Sequence, residues 1–119
     1  MAPNHFERVR RICLAFPEAT EKTAWGEPTF RVRSKMFAMY ADAANHHGGG
    51  RHALWCPAPP GLQHALVEAA PDRFFVPPYV GKSGWIGLDL ARTSDAELEV
   101  HVAQAYRMIA PKKLIALLD

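Results

Sequence analysis

The sequence predicts a two-layer α+β domain in which an antiparallel sheet packs against N- and C-terminal helices. Three observations predict it. Apolar residues recur at helical spacing near both ends of the chain, strand-like alternation and short apolar runs fill the middle, and Pro and Gly clusters punctuate them. Runs of strands flanked by helices are the α+β pattern. At 119 residues, the chain has the length of one domain, 1–119, able to bury about two-thirds of its unfolded surface without disulfides. It shows no internal repeat and no linker.

Taken in order, Asn4 and Glu7 form an N-cap pair, and Phe6, Val9, Ile12, Cys13 and Phe16 then follow at helical spacing until Pro17. Arg8, Arg10 and Arg11 fall off that stripe and read as a solvated face. The stretch after Pro17 is turn-rich. From Thr29 to Arg33, Phe30 and Val32 alternate with Arg31 and Arg33, the period of a strand with one buried face. Met36 to Ala41 is apolar at consecutive positions, as in a central strand covered on both sides. Asp42 to Gly50, with His46, His47 and three glycines, reads as a flexible connection to a strand over Arg51 to Cys56.

Pro57 to Gly61 ends that strand, and Leu62, Ala65, Leu66 and Ala69 mark a short amphipathic helix closed by Pro71. Tyr79-Val80 and Trp85 to Leu90 read as two strands joined by a Gly81-Lys82-Ser83-Gly84 hairpin loop, with Ile86, Leu88 and Leu90 inward and Trp85, Gly87 and Asp89 outward. Ser94 with Glu97 is a capping box for a helix striped by Leu98, Val102, Ala105 and Ile109, and Pro111 restarts the chain into Leu114 to Leu118.

Composition narrows the function classes. Apolar residues at 49% and charged residues at 22% are ordinary globular proportions, which exclude a disordered or fibrous chain. Fourteen Lys and Arg against twelve Asp and Glu leave a net charge of +2, less than polyanion binders usually carry, so charge alone does not select a partner. No apolar run nears the roughly eighteen residues of a membrane span, and Met1 to Glu7 has no secretory core. A cytoplasmic monomer without a membrane partner is expected. Cys13 and Cys56 lie in buried-looking segments and are expected to be reduced core thiols.

No catalytic pattern survives inspection. Gly81-Lys82-Ser83 resembles the end of a phosphate-binding loop, but Val76 stands where that motif needs its first glycine, and a strand rather than a helix follows. His46, His47 and His52 lack a carboxylate or cysteine at metal-ligand spacing, so no metal and no cofactor are expected. Glu97 and Glu99 diverge on a helix and cannot act as an acid–base couple. The chain is expected not to be an enzyme.

Arg31, Arg33 and Lys35 on one strand would project roughly 6.7 Å apart and could track phosphates of double-stranded DNA. Lys82 and Trp85 at the hairpin, with Lys112 and Lys113 near the C-terminus, extend that candidate site. The alternative is a protein- or small-ligand-binding module in which Trp55, Tyr79 and Trp85 matter more than the charges.

The blocks Gly26-x-Pro28-x-Phe30-x-Val32-x-x-Lys35-x-Phe37-Ala38, Phe74-Phe75, Pro78-Tyr79-Val80-Gly81-Lys82-x-Gly84-Trp85 and Ala110-Pro111-Lys112 together resemble the MmcQ/YjbR family. The resemblance runs from the first helix to Leu118. It implies a small α+β domain with a frataxin-like arrangement, and a likeness to a double-wing DNA-binding domain that would put Arg31, Arg33 and Lys35 on an exposed sheet face and Lys82 with Trp85 on a wing. An iron-delivery role is not implied, because Arg8, Arg10 and Arg11 replace the acidic ridge on the first helix.

Overall fold

The computed structural model describes residues 4–45, 47 and 49–119. Six antiparallel strands form one sheet: β1 Thr20–Ala24, β2 Glu27–Val32, β3 Lys35–Ala41, β4 Ala53–Cys56, β5 Phe74–Phe75 and β6 Ile86–Asp89, in the order β1-β2-β3-β4-β6-β5. The helices are α1 His5–Leu14, α2 Leu62–Ala69, α3 Asp95–Ile109 and α4 Lys112–Ile115. Among the described residues, no helix is long and apolar enough to cross a membrane.

The helix starts follow their sequence signals. Asn4 Oδ1 accepts the Glu7 backbone N–H at 3.1 Å, and Ser94 and Glu97 close a reciprocal capping box on α3. Val9, Ile12 and Cys13 of α1 and Leu98, Val102, Ala105 and Tyr106 of α3 then pack on Phe30, Val32, Phe37, Ala38, Tyr40, Leu54, Ile86 and Leu88 of the sheet. Tyr106 donates its hydroxyl to the Pro17 carbonyl at 2.7 Å and so fastens α3 to the end of α1. Both cysteines are free and buried as expected, and burial pushes the Cys56 thiol up to about 12.

The apolar run of β3 has a specific cause. Its pairing with β2 slips between Phe30, opposite Ala38, and Arg31, opposite Met36, leaving Phe37 as an extra residue. Phe37 and Ala38 therefore both join the helix-side core, while Met36 and Met39 turn to the other face. On that second face Met39, Ala41, Ala53 and Trp55 form a smaller cluster with Met36, Phe75, Val80 and Trp85. No helix covers it among the described residues; loops border it.

Four expectations need correction. The stretch after Pro17 contains β1, an edge strand exposed at nearly every position, so it has no buried face to create alternation. The Tyr79–Leu90 hairpin does not exist: Pro77 and Pro78 lack ladder donors, Gly81–Ser83 is a 3-10 turn, and β6 pairs instead with β4 and β5. Arg8 is no solvated side chain. It is 15% exposed and donates to Asp95 at 2.7 Å and to the Leu90 and Thr93 carbonyls, joining α1 to the start of α3. Finally, Arg33 lies in a turn rather than on a strand. His46 falls outside the described residues.

Candidate functional site

The basic residues singled out in the sequence do not form a row. Arg31 is on β2, where its Nε donates to Thr29 Oγ1 at 3.1 Å. Arg33 and Ser34 make the two-residue turn into β3, with φ of +52° and +68°, the left-handed pair that such hairpins require. That turn breaks the two-residue period and redirects the Arg33 side chain. Its guanidinium grips the Glu18 carboxylate through Nε at 2.6 Å and Nη2 at 3.1 Å, and this hydrogen bonding holds the Glu18 carboxyl below its ordinary range. Lys35 opens β3 and is exposed. Lys112 and Lys113 are exposed at the start of α4, with Lys113 contributing to the field at Glu18. Lys82 is exposed in the 3-10 turn, whereas Trp85 is half-buried against the second-face cluster.

What the fold does bring together is a set of aromatic and thioether side chains. Trp25, Met36, Met39, His47, Trp55, Tyr79 and Val80 line a cleft of about 510 Å³ on the second face of the sheet. Met39 and Trp55 are cross-strand neighbours, and Trp55 faces Gly87 on the next strand. A Cβ on Gly87 would stand 2.4 Å from the Phe75 ring; the glycine lets that ring lie flat against the sheet beside Trp55. Arg51 stacks on the same ring with its guanidinium carbon 3.9 Å from the centroid.

Two loops build the rim. The β1–β2 turn is Trp25-Gly26, both left-handed at φ +56° and +79°, and Trp25 is 67% exposed. Across the cleft Tyr79 is 70% exposed at φ +67°. His47 stands edge-on to both Trp55 and Tyr79, at centroid separations of 6.0 and 6.1 Å.

Behind this wall is a buried carboxylate. Glu27, only 1% exposed, accepts the Asn45 side-chain amide at 2.8 Å and the Asp42 backbone N–H at 3.2 Å, and its Oε2 lies 3.6 Å from His47 Nδ1. It ties β2 to the loop that follows β3 and positions His47. The expectation that no carboxylate accompanies the histidines thus holds for spacing along the chain and fails in space. No group of three or more metal-ligating side chains occurs among the described residues.

Sequence reasoning named Trp55 and Tyr79 but missed Trp25, Met36, Met39 and Glu27. Trp25-Gly26 did offer a signal, since an aromatic residue beside a glycine at the end of a wholly polar stretch, Thr20 to Thr23, has no large apolar neighbours in sequence to share a core with. The two methionines gave none, because a bulge decides which way they face.

Comparison with known proteins accords with the architecture. The crystal structure of Deinococcus radiodurans protein DR2400, which carries the domain DUF419, superposes with a TM-score of 0.73 at 17% identity, over 87% of this chain and 76% of that one. Shared fold is all that such a likeness shows. No curated protein matches the sequence. The model of the YjbR family matches residues 14–108, from the last residue of α1 to the last turn of α3 with every strand between them, and the chain therefore belongs to the YjbR family.

Proposed function

We propose that this domain is a non-enzymatic binding module that takes a small ligand with an apolar body in the cleft on the second sheet face. One observation carries the reading: two aromatic side chains stand exposed at the mouth of a concavity whose floor is Trp55, Met36 and Met39. Concave sites of this size lined mostly by apolar side chains are the usual form of small-molecule pockets. The described lining offers an imidazole and a phenol but no carboxylate, serine, cysteine, lysine or arginine, which favours binding over chemistry. The neutral dye N-phenyl-1-naphthylamine tests it. Saturable fluorescence enhancement is expected with the native chain and loss of that enhancement with Trp25→Ala plus Tyr79→Ala; an enhancement unaltered in the double variant would refute the cleft.

Binding of double-stranded DNA is the second reading, favoured by the exposure of Lys35, Lys82, Lys112 and Lys113. It has to do without a cationic strand row, since Arg33 is engaged by Glu18. Here a mixed-sequence duplex titrated at two salt concentrations should bind more weakly at the higher one, and Lys112→Ala with Lys113→Ala should reduce both affinity and salt slope. Affinity insensitive to salt would remove this reading.

A further inference from the structure

The lining of the cleft also specifies the chemistry of its guest, and this step rests on the small-ligand reading above. Trp25 and Tyr79 hold bulky exposed rings on left-handed backbone, a conformation that side chains with a Cβ rarely adopt. The turn at Trp25 is of the kind in which asparagine before glycine is at ease. An indole there gains no core packing in the free molecule, and strained residues of this sort cluster at ligand clamps. The rings offer flat π-faces, which suit a planar partner.

Trp55 supplies an independent observation. It is 1% exposed, lines the cleft, and its indole N–H has no acceptor among the described residues. Buried donors are nearly always paired, and one left open beside a cavity calls for an acceptor from outside the chain. The nitrogen is closed to water in the free molecule, so an acceptor can reach it only if the cleft wall gives way around the guest. With no lysine or arginine among the described lining residues and His47 already beside the buried Glu27 carboxylate, a carboxylate or phosphate would be desolvated with little compensation. A sugar, which needs many polar partners, would leave its hydroxyls unpaired.

We propose that the cleft binds an uncharged planar aromatic molecule carrying a hydrogen-bond acceptor, its ring against Trp25 and Tyr79 and its acceptor on the Trp55 indole N–H. Two guests of nearly equal shape test this, 2-acetylnaphthalene, which has a carbonyl, and 2-ethylnaphthalene, which has none. Each is titrated into the ¹⁵N-labelled full chain, with the Trp55 indole signal assigned by elimination using Trp25→Phe and Trp85→Phe. The ketone is expected to bind about tenfold more tightly and to move the Trp55 indole proton downfield, while the hydrocarbon leaves it nearly in place. Trp55→Phe should erase the preference; if that variant does not fold, the indole shift of the native chain decides alone. Equal affinities with an unmoved indole proton would overturn the acceptor assignment and leave the small-ligand reading standing. If neither guest perturbs any signal of the cleft, both fall together.

Discussion

The two faces of the sheet are built on opposite terms. The helix-side face is a closed core in which Phe16, Phe37 and Tyr106 pack ring against ring and α1 and α3 exclude water. The second face keeps a smaller apolar cluster under loops, and its largest exposed rings, Trp25 and Tyr79, stand in strained backbone at the rim of a cleft. Both faces bury apolar side chains from the same strands, so hydrophobicity does not distinguish them. Coverage does: helices close one face, and the other keeps a buried indole N–H without an acceptor among the described residues and two largely exposed rings beside an open cleft.

The sharpest way to separate the faces is to truncate each. Phe37→Ala on the helix side should cost about 3–5 kcal/mol of stability in urea unfolding, whereas Met36→Ala, half-buried at the cleft, should cost about 1 kcal/mol or less. Equal losses would mean that the second face is as much a structural core as the first. Glu27→Ala should follow at about 2–3 kcal/mol, because it strands the Asp42 and Asn45 donors. It should also weaken guest binding by releasing His47 from the wall. A loss of stability with binding unchanged would show that Glu27 serves the fold alone.

Gly87→Ala ranks next, at about 1–3 kcal/mol, since its methyl would overlap the Phe75 ring. A shift of the Phe75 ring resonances should accompany the loss. Smaller still is an acid-limb effect on the helix layer. Asp95 is held below the usual carboxylate range chiefly by its hydrogen bond from Arg8, so it ionises more readily folded than unfolded. The resulting stabilisation is fully present above the ordinary aspartate value of about 3.9 and is lost as pH falls through the lower folded value. Asp95→Asn should therefore flatten the stability profile below about pH 4; an unchanged profile would remove Asp95 from the acid response.

The smallest expected change has the opposite sign. Trp25→Asn places a residue suited to the Trp25-Gly26 turn and should raise stability by about 0.5–1 kcal/mol while weakening uptake of the naphthalenes. A gain in stability against a loss of binding is what a residue kept for a ligand would give. If the substitution destabilises the chain, Trp25 is a packing residue and the clamp loses one jaw.

Much of the architecture was legible because local rules and tertiary demands agreed. The capping pairs at Asn4 and Ser94, the stripe of α3 and the apolar run of β3 each pointed to the element that formed. β1 was illegible because its side chains are exposed on both faces, and Tyr79-Val80 form no strand because Pro77 and Pro78 cannot donate to a ladder, which outweighs the glycine turn signal after them. The basic row at Arg31, Arg33 and Lys35 rested on an unbroken strand. A two-residue turn at Arg33-Ser34 invalidated it, and the period-two pattern carries no mark of where a strand reverses.

By itself the sequence determined the α+β class, the helix termini and which residues avoid water, since all of these follow from composition, caps and periodicity within a few turns of chain. Only the tertiary structure decided which apolar residues face helices and which face a cleft. That choice depends on the one-residue bulge at Phe37 and on two loops far apart in sequence, those of Trp25 and Tyr79, lining one cleft. A bulge inverts the facing of every later side chain without changing a single residue type.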